Sequence, residues 1–350
     1  MKLNDYVTLG RSGLLVSPLA LGCMTFGQSN GWGIDETEAG RILDGYLEAG
    51  GNFLDTADGY VEGRSEEMLG RLVRDRGARD RVVVATKFTF NGTPGNPNGG
   101  GNGRKNCLRA LEGSLRRLGM DHVDLYWVHA WDTLTPVDEL ARTLHDVVRS
   151  GKARYVGLSD VPAWHLARFQ TLAELRNLEP VVALQVEYSL VERTIEREHV
   201  PACKQLGVGI TPWSPLAGGF LSGKYRRSDA GVEGDGRLQR HKHPVFERFT
   251  ERNWKVLDAL LGVSKEVGRS PAEVALAWVA GRPGVTSTII GATKRAQLDS
   301  NVAALSLTLG DSQRAALDAA SALPPAHPYV FFEGTIQAMI SGNTSRRAWS

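Results

Sequence analysis

The sequence is poor in cysteine and has no long apolar run. Its 350 residues include three cysteines, at widely separated positions. An odd number without CxxC spacing argues against a disulfide framework or a cysteine metal site, and it suits a reducing compartment. No apolar stretch approaches the roughly 18 residues of a membrane span. The N-terminus also lacks the apolar segment of a signal peptide, so we expect a cytoplasmic protein.

The sequence also has no marked excess of positive or negative charge. Lysine and arginine number 41, aspartate and glutamate 39, and the two kinds are interleaved. This balance gives no support for a nucleic-acid partner. No linker-like segment divides the chain, and one α/β barrel needs about 250 residues before insertions. We therefore expect a single domain over residues 1–350.

What the sequence does contain is a repeated alternation of short apolar runs with longer segments of helical periodicity. Runs this apolar, without in-and-out alternation, are typical of parallel strands covered on both faces. The eight runs are Leu19–Gly22, Asn52–Ala57, Val82–Phe88, Val123–His129, Tyr155–Ser159, Val181–Tyr188, Gly207–Ser214 and Thr286–Ala292.

The segments between the runs carry helix-start residues. Thr135-Pro136 and Ser270-Pro271 each place a capping hydroxyl before a proline at the first helical position. Eight strands alternating with eight helices predict a closed, parallel (β/α)8 TIM barrel. An open doubly wound sheet would alternate in the same way, but its GxGxxG turn is missing after the first strand. The predicted helices cover 36–49, 64–74, 104–118, 136–150, 162–177, 194–206, 271–280 and 294–304.

Four segments lie outside this alternation. Residues 5–17 predict a β-hairpin ahead of the barrel. Residues 91–103 and Gly218–Pro244 are rich in glycine and predict long loops after the third and seventh strands. The tail, residues 324–350, carries several aromatic residues. It could fold over the mouth of the barrel or pack on its outer surface.

Polar and aromatic residues follow the predicted strands. In a barrel the carboxyl ends of all strands meet at one rim, where active sites lie. Apolar packing does not require such residues there, so we predict the site at this rim. The strand ends are Gly22–Met24, Asp55, Lys87, His129, Ser159–Asp160, Gln185–Tyr188, Trp213–Ser214 and Gly291–Lys294.

Six short segments resemble those of the aldo-keto reductase superfamily, in that family's order and over roughly residues 5 to 305. Any one of these segments is a weak match, whereas six of them in the same order are specific for that superfamily. Trp213 and the long loop after it resemble the bacterial and potassium-channel-β-like branch. The segments are Asp55–Tyr60, Ala85–Lys87, Leu125–His129, Gly157–Ser159, Thr211–Leu216 and Ile290–Thr293 running on to Asn301.

The resemblance implies reversible hydride transfer between NADPH and a ketone, aldehyde or alcohol, with Tyr60 as general acid/base. A phenol with a pKa of about 10 is too weak an acid unless a nearby cation favours its phenolate. Lys87 would supply that cation, Asp55 would balance its charge, and His129 would orient the substrate oxygen. Taken singly, each residue has an ordinary alternative: a solvated lysine, a loop pair or a core histidine.

The resemblance also implies a binding site for NADPH, with NADH less favoured. Thr293 would begin a helix whose N–H groups hold the 2′-phosphate. Ser300 stands where relatives often carry an acid, and Asp160 where they carry asparagine. The implied cofactor contacts are Gly22, Met24, Asp55, Ser159, Asp160, Gln185, Trp213, Ser214, Leu216, Lys224, Arg237, Gly291, Thr293, Lys294, Gln297 and Asn301.

The substrate is less well defined by the sequence. Tyr60 and His129 would contact it, and apolar residues beside them would form the wall of its pocket. A bulky carbonyl is expected, such as a keto-sugar, polyketide, steroid-like ketone or xenobiotic. The wall candidates are Met24, Phe88, Trp131 and Tyr188.

Two other functions compete with carbonyl reduction. A catalytically weak, NADPH-sensing regulatory subunit would carry a residue other than His129 at that position. A metal-dependent or glycosidic hydrolase would need paired strand-end carboxylates or a His/Asp cluster, and Asp55 is instead set beside a lysine. We therefore expect no metal. Either a monomer or a homo-oligomer is compatible with the sequence.

Overall fold

Parallel strands form a barrel in the computed structural model, which describes residues 1–29, 32–228, 231–234, 236–240, 247–332 and 334–345. Within these residues, eight parallel strands make one sheet in which consecutive strands are neighbours, and the first also pairs with the eighth. The barrel strands, first to eighth, are Leu19–Gly22, Phe53–Asp55, Val83–Phe88, Val123–Val128, Ala153–Ser159, Val181–Glu187, Gly209–Trp213 and Thr288–Ile290.

The seventh and eighth strands close the barrel through the backbone of Ile210. Its N–H donates to the carbonyl of Gly284 (3.0 Å), and its carbonyl accepts from the N–H of Thr286 (2.8 Å). Thr286 leads directly into the eighth strand. The predicted (β/α)8 barrel is confirmed.

Helices follow the strands and cover the outside of the sheet. Ser270 caps its helix as predicted, accepting from the N–H of Glu273 at 3.2 Å. The Thr135 cap is wrong, because its hydroxyl donates to Asp132 instead (2.6 Å) and the helix begins at Val137. The helices are Glu36–Glu48, Arg64–Asp75, Arg104–Leu118, Val137–Arg149, Ala163–Arg176, His199–Leu206, Arg237–Arg240, Glu251–Val267, Pro271–Ala280, Arg295–Ala303, Asp311–Ala320 and Gly334–Ser341.

Two substantial helices were not predicted. Glu251–Val267 and Asp311–Ala320 pack against each other outside the barrel. The first begins at Thr250, whose hydroxyl accepts from Asn253 N–H, and it ends at Gly268 in the left-handed conformation. Among the described helices, none is both long and apolar enough to cross a membrane.

The core has two parts, separated by the barrel wall. The larger part lies between the strands and the helices, and the smaller one fills the barrel interior. The predicted hairpin is confirmed, with Val7–Thr8 paired antiparallel to Leu15–Val16. Its Leu9 and Val16 are fully buried against the interior residues, so the hairpin closes the amino-terminal end of the barrel.

The loop Gly218–Pro244 is more regular than predicted. Its described part contains strands Arg226–Ser228 and Gly231–Glu233, which pair with each other, and the short helix Arg237–Arg240. Residues 229–230, 235 and 241–244 of this loop lie outside the described residues, as do 333 and 346–350 of the tail. The tail is anchored at Tyr329, whose hydroxyl donates to Glu198 at 2.6 Å.

Candidate active site

Lys87 lies inside the barrel at the carboxyl end of the third strand. Alternation along that strand directs Val83 and Ala85 to the interior core, whereas Val84 and Phe88 face the helices. The ammonium group of Lys87 pairs with Asp55 and donates to the carbonyl of Thr56 at 2.9 Å. The side chain is fully buried, so the carboxylate of Asp55 has to balance its charge in place of water.

Tyr60 is brought to this lysine by a strained turn. The Nζ atom of Lys87 lies 3.2 Å from the phenol oxygen and 4.9 Å from the centre of the ring. The next three residues, Val61 to Gly63, have φ values of 49°, 59° and 89°. A β-branched residue such as valine rarely adopts a left-handed conformation. The turn is held by the N–H of Arg64, which bonds back to Tyr60 and Val61.

The protonation states of the pair follow from burial and charge. Burial raises the pKa of Tyr60 above its ordinary value, although the charge of Lys87 acts to lower it. Burial lowers the pKa of Lys87, but the charge of Asp55 and the interaction with the Tyr60 oxygen outweigh it and leave that pKa raised. The predicted lowering of the Tyr60 pKa by the charge of Lys87 is therefore present, but the increase caused by burial is larger. At neutral pH the lysine is charged and the phenol retains its proton.

His129 follows the fourth strand and faces Tyr60. Their rings meet edge to face with centroids 5.7 Å apart, and Phe90 contacts the histidine in the same manner at 4.7 Å. Burial, and then the charge of Lys87, hold the pKa of His129 well below its usual range, so the imidazole is neutral. Its Nδ1 has no hydrogen-bond partner within the described part of the chain. A neutral imidazole can donate to a carbonyl oxygen.

The opposite side of the rim is formed by residues that end the fifth, sixth and seventh strands. Gln185 donates its amide to Asp55 Oδ2 at 3.1 Å, which ties this side to the lysine pair. Trp213 donates its indole N–H to Asp160 Oδ1 at 3.1 Å. Ser159 is buried and its hydroxyl lies 3.5 Å from the other carboxylate oxygen of Asp160. These four predicted residues thus form one continuous wall.

The loop after the seventh strand brings further predicted residues to this rim. Ser214 has φ +55° and its carbonyl accepts from Ala217, which turns the chain away from the strand; Leu216 is half-buried beside it. The ammonium of Lys224 lies 5.2 Å from the ring centre of Tyr225. Burial lowers the pKa of Arg237, whereas Tyr60 and Glu187 act to raise it. Arg237 therefore lies within electrostatic reach of Tyr60.

Residues after the eighth strand form a separate cluster. Thr293 donates its N–H to the side-chain oxygen of Gln297 (2.8 Å), and Asn301 donates to the carbonyl of Gly291 (3.2 Å). Lys294 is exposed and precedes the helix Arg295–Ala303, so Thr293 lies one residue further from the helix than predicted. Ser300 donates to Glu273 at 3.0 Å, which places a carboxylate beside it.

The predicted apolar wall needs correction at two positions. Phe88 is fully buried and stacks on Tyr126 with ring centroids 5.0 Å apart, on the helix side of the strand. Tyr188 likewise lies in the outer core, against Trp278. Both point away from the barrel interior, so neither lines the space beside His129. Met24 and Trp131 are half-buried, and Phe90, which the sequence analysis missed, is 57% exposed beside His129.

A buried charged cluster behind Tyr60 was also missed. Glu66 is fully buried, accepts from Thr86 at 2.5 Å and pairs with Arg117 at 2.6 Å. Burial, and then the charge of Glu66, raise the pKa of Asp58 to about 7. The Oδ1 atom of Asp58 has no hydrogen-bond partner among the described residues. The sequence signal was the second aspartate of Asp55–Tyr60, which lies between two of the predicted site residues.

A parallel barrel with this lysine–carboxylate pair, tyrosine and histidine at its carboxyl-terminal rim defines a barrel oxidoreductase. The chain belongs to the aldo/keto reductase family, whose model matches residues 18–322. The family resemblance of the sequence segments is thereby confirmed.

Bacterial, plant and fungal relatives match this chain over most of their length. The chain is 39% identical over 318 residues to an uncharacterized oxidoreductase of Bacillus subtilis, covering 87% of this chain and 92% of the relative. It is 38% identical over 304 residues to a probable voltage-gated potassium channel subunit beta of Oryza sativa, covering 86% and 91%. It is 33% identical over 336 residues to an aryl-alcohol dehydrogenase [NADP(+)] of Phanerodontia chrysosporium, covering 91% and 86%.

Proposed function

We propose that this protein is an NADPH-dependent carbonyl reductase in which Tyr60 is the general acid/base. The observation that supports this most directly is the ammonium of Lys87, which contacts both the Asp55 carboxylate and, at 3.2 Å, the phenol oxygen of Tyr60. The neutral ring of His129 faces the same phenol. A proton donor, a cation that stabilises its conjugate base and a neutral hydrogen-bond donor thus meet at one place.

The residues of the rim suit a nicotinamide cofactor that carries a 2′-phosphate, which NADPH has and NADH lacks. Lys294 is exposed beside a helix start, where the backbone N–H groups and a positive charge favour a 2′-phosphate. Lys224 and Arg237 supply further positive charge on the loop after the seventh strand. When bound, the reduced nicotinamide supplies a hydride to the carbonyl carbon. The name of the fungal aryl-alcohol dehydrogenase, which includes NADP(+), supports the same cofactor.

The chain's own residues handle the proton. His129 donates a hydrogen bond to the substrate oxygen and holds it beside Tyr60, which transfers the phenolic proton to that oxygen. Lys87 then stabilises the phenolate through the contact already present at 3.2 Å. Asp55 keeps Lys87 charged, and Gln185 holds the second oxygen of Asp55 in place. In the oxidative direction the same groups act in reverse.

The mouth of the site suits a bulky carbonyl. Phe90 presents apolar surface beside His129, which suits keto-sugars less than aromatic, polyketide or steroid-like ketones. Trp131 packs instead against Trp164 and His165. The three cysteines are unpaired and buried, in keeping with a reducing, cytoplasmic setting. A single domain over the whole chain, and a monomer or homo-oligomer, stay predictions.

A second candidate is a regulatory subunit that binds NADPH with little turnover. It is favoured by the 38% identity to the rice relative, which is named as a probable channel subunit. Under this alternative the chain would bind NADPH but reduce no aldehyde or ketone in a broad panel.

Replacement of Tyr60 by phenylalanine tests the proposal. We expect reduction of p-nitrobenzaldehyde to fall by roughly 10²–10⁴-fold, because the proton donor is lost. NADPH affinity, measured by fluorescence titration, should stay within about twofold of wild type. The matched control is Tyr6→Phe, which removes a hydroxyl that donates to the backbone carbonyl of Gly50 (2.9 Å), at an exposed position outside the barrel. Wild-type turnover by Tyr60→Phe would show that another group donates the proton.

A further inference from the structure

Asp160 presents a carboxylate to the rim immediately after the fifth strand. Its backbone has φ +46°, a left-handed conformation that turns the chain at the strand end, and its N–H donates to the carbonyl of Gln185 at 3.1 Å. The side chain is oriented by Trp213, whose indole N–H lies 3.1 Å from Oδ1. A fixed backbone and an indole donor thus hold this carboxylate in one place. Part of the residue nevertheless faces solvent at the rim, so a ligand in the site can reach it.

The carboxylate is close enough to the reacting groups for its charge to act on them. The carbonyl of Gln185 accepts from the N–H of Asp160 (3.1 Å), and the amide of Gln185 donates to Asp55, the partner of Lys87 (3.1 Å). The charge of Asp160 acts to raise the pKa of Tyr60, and that of Lys87 acts to lower the pKa of Asp160. A hydride donor must lie within a few ångströms of the carbonyl carbon whose oxygen Tyr60 protonates. A nicotinamide ring placed to reduce that carbonyl would therefore lie on the same part of the rim as Asp160.

We propose that Asp160 makes the site bind the oxidised cofactor more tightly than the reduced one. This inference rests on the proposed function. The oxidised nicotinamide ring carries a positive charge and the dihydro ring carries none, while the rest of the molecule is the same. A fixed carboxylate in a partly water-excluded site interacts with that charge difference directly. An asparagine in its place would contact both rings without such a preference.

The consequence is a bias toward reduction on the enzyme. Hydride transfer takes two electrons and one hydrogen from the dihydronicotinamide to the carbonyl carbon, and Tyr60 supplies the proton to the oxygen. The reaction converts a neutral ring into a cation beside Asp160, so the carboxylate stabilises the product side. The same attraction slows release of the oxidised cofactor.

The preference should depend on pH in a defined direction. Burial raises the pKa of Asp160 to about 6, so the carboxyl is neutral below that pH and charged above it. Lys87 stays charged, and Tyr60 and His129 stay neutral, across the range from about pH 5.5 to 8. The remaining titratable neighbour is Glu187, whose pKa is raised by burial and which pairs with Arg248. Arg237, near Glu187, carries its charge throughout.

The test compares the dissociation constants of NADP+ and NADPH, by calorimetric and fluorescence titration, at about pH 5.5 and 8. Their ratio is used because the 2′-phosphate, with a pKa of about 6, titrates equally in both ligands and cancels. In the wild-type protein we expect the ratio of the NADP+ constant to the NADPH constant to fall by about two- to fourfold as pH rises, because about a quarter of the carboxyl is already charged at pH 5.5. In Asp160→Asn the ratio should be independent of pH, and Glu187→Gln should retain the wild-type fall.

The outcomes separate this inference from the proposed function. If both cofactors bind and the ratio in Asp160→Asn equals that of wild type at pH 8, the inference is wrong and the proposed function stands. If Glu187→Gln removed the pH dependence of the ratio and Asp160→Asn did not, the effect would belong to Glu187. This result would also overturn the inference about Asp160. If neither nicotinamide dinucleotide binds to the wild-type protein, the proposed function itself fails. Circular dichroism of each variant checks that the barrel is folded.

Discussion

Lys87 and Asp55 form an ion pair in the barrel interior, where neither side chain has appreciable contact with solvent. The pair joins the second and third strands at the rim and carries Tyr60 on one side and Gln185 on the other. Removing two charges from water costs several kcal/mol per ion, which the partner and added hydrogen bonds must offset. The pair is therefore costly for stability, and under the proposed function this cost is offset by the effect of Lys87 on Tyr60.

Removal of one partner should reveal both roles. Lys87→Met leaves Asp55 buried as an unpaired carboxylate, so we expect the free energy of unfolding to fall by about 3–5 kcal/mol. Carbonyl reduction should fall at least about 100-fold, since the phenolate is no longer stabilised. The checks are urea denaturation and steady-state NADPH oxidation.

The double variant Asp55→Asn/Lys87→Met separates the two effects. It removes the buried charge, so its stability should recover by at least about 2 kcal/mol relative to Lys87→Met. Its activity should stay lost. Recovery of activity with stability would mean that the lysine has only a structural role.

The barrel could be predicted because its strands are continuous apolar runs. Leu19–Gly22 was predicted with the observed bounds, the fifth strand was predicted two residues too short at its start, and the other strands were predicted one to a few residues too wide. The helix Glu251–Val267 was missed although Thr250 and Gly268 cap it, because it follows the irregular Gly218–Pro244 segment. The helical spacing of its buried residues was there to be recognised.

Side-chain direction was the less predictable part of the site. Lys87 and Phe88 are adjacent, so alternation along a strand must send them to opposite faces. The error at Phe88 could have been avoided by that rule alone. Phe90 could not be placed from the sequence, because the third strand ends at Phe88 and the chain then turns. Glu66 is far from Arg117 in sequence, and only the fold brings the two together.

The barrel interior should not tolerate a side chain at Gly157. A Cβ atom there would lie 2.3 Å from the ring of Trp127 and 3.1 Å from the carbonyl of Ala183. Trp127 is fully buried, so it cannot move aside without displacing its neighbours. We expect Gly157→Ala to lower the free energy of unfolding by about 1–3 kcal/mol.

Gly262 provides the control for that substitution. It lies on the exposed face of the helix Glu251–Val267, and an added Cβ meets nothing within 4 Å. Gly262→Ala should raise stability by about 0.5–1 kcal/mol through helix propensity. Equal effects of the two substitutions, measured by urea denaturation, would contradict the packing argument.

Lys294 should distinguish the two nicotinamide cofactors. If its ammonium contacts the 2′-phosphate, Lys294→Ala should weaken NADPH binding by about tenfold, corresponding to loss of a charge-assisted contact of about 1.5 kcal/mol. NADH affinity should change by less than about twofold, since NADH lacks that phosphate. Lys265→Ala, at an exposed lysine of another helix, is the control. Equal losses for both cofactors would remove the 2′-phosphate assignment.

Asp58 should make the stability of the protein depend on pH. Burial and the neighbouring Glu66 raise the pKa of Asp58 to about 7, above the value of about 3.9 expected for an unfolded chain. A raised carboxyl pKa favours the folded state below the unfolded value, and this stability is lost as pH rises to about 7. Asp58→Asn removes that titration. Its advantage over wild type should therefore be about 2–3 kcal/mol larger at pH 8.5 than at pH 5.

Denaturation of both proteins at the two pH values measures this difference. Asp80→Asn is the matched control, because Asp80 is exposed and its substitution leaves the buried cluster intact. The expected result is a pH-independent difference for Asp80→Asn and a growing one for Asp58→Asn. If the advantage of Asp58→Asn shrank toward alkaline pH, the carboxylate would have to be stabilised in the folded state by Arg117. The cluster behind Tyr60 would then be a net attractive network rather than a strained one.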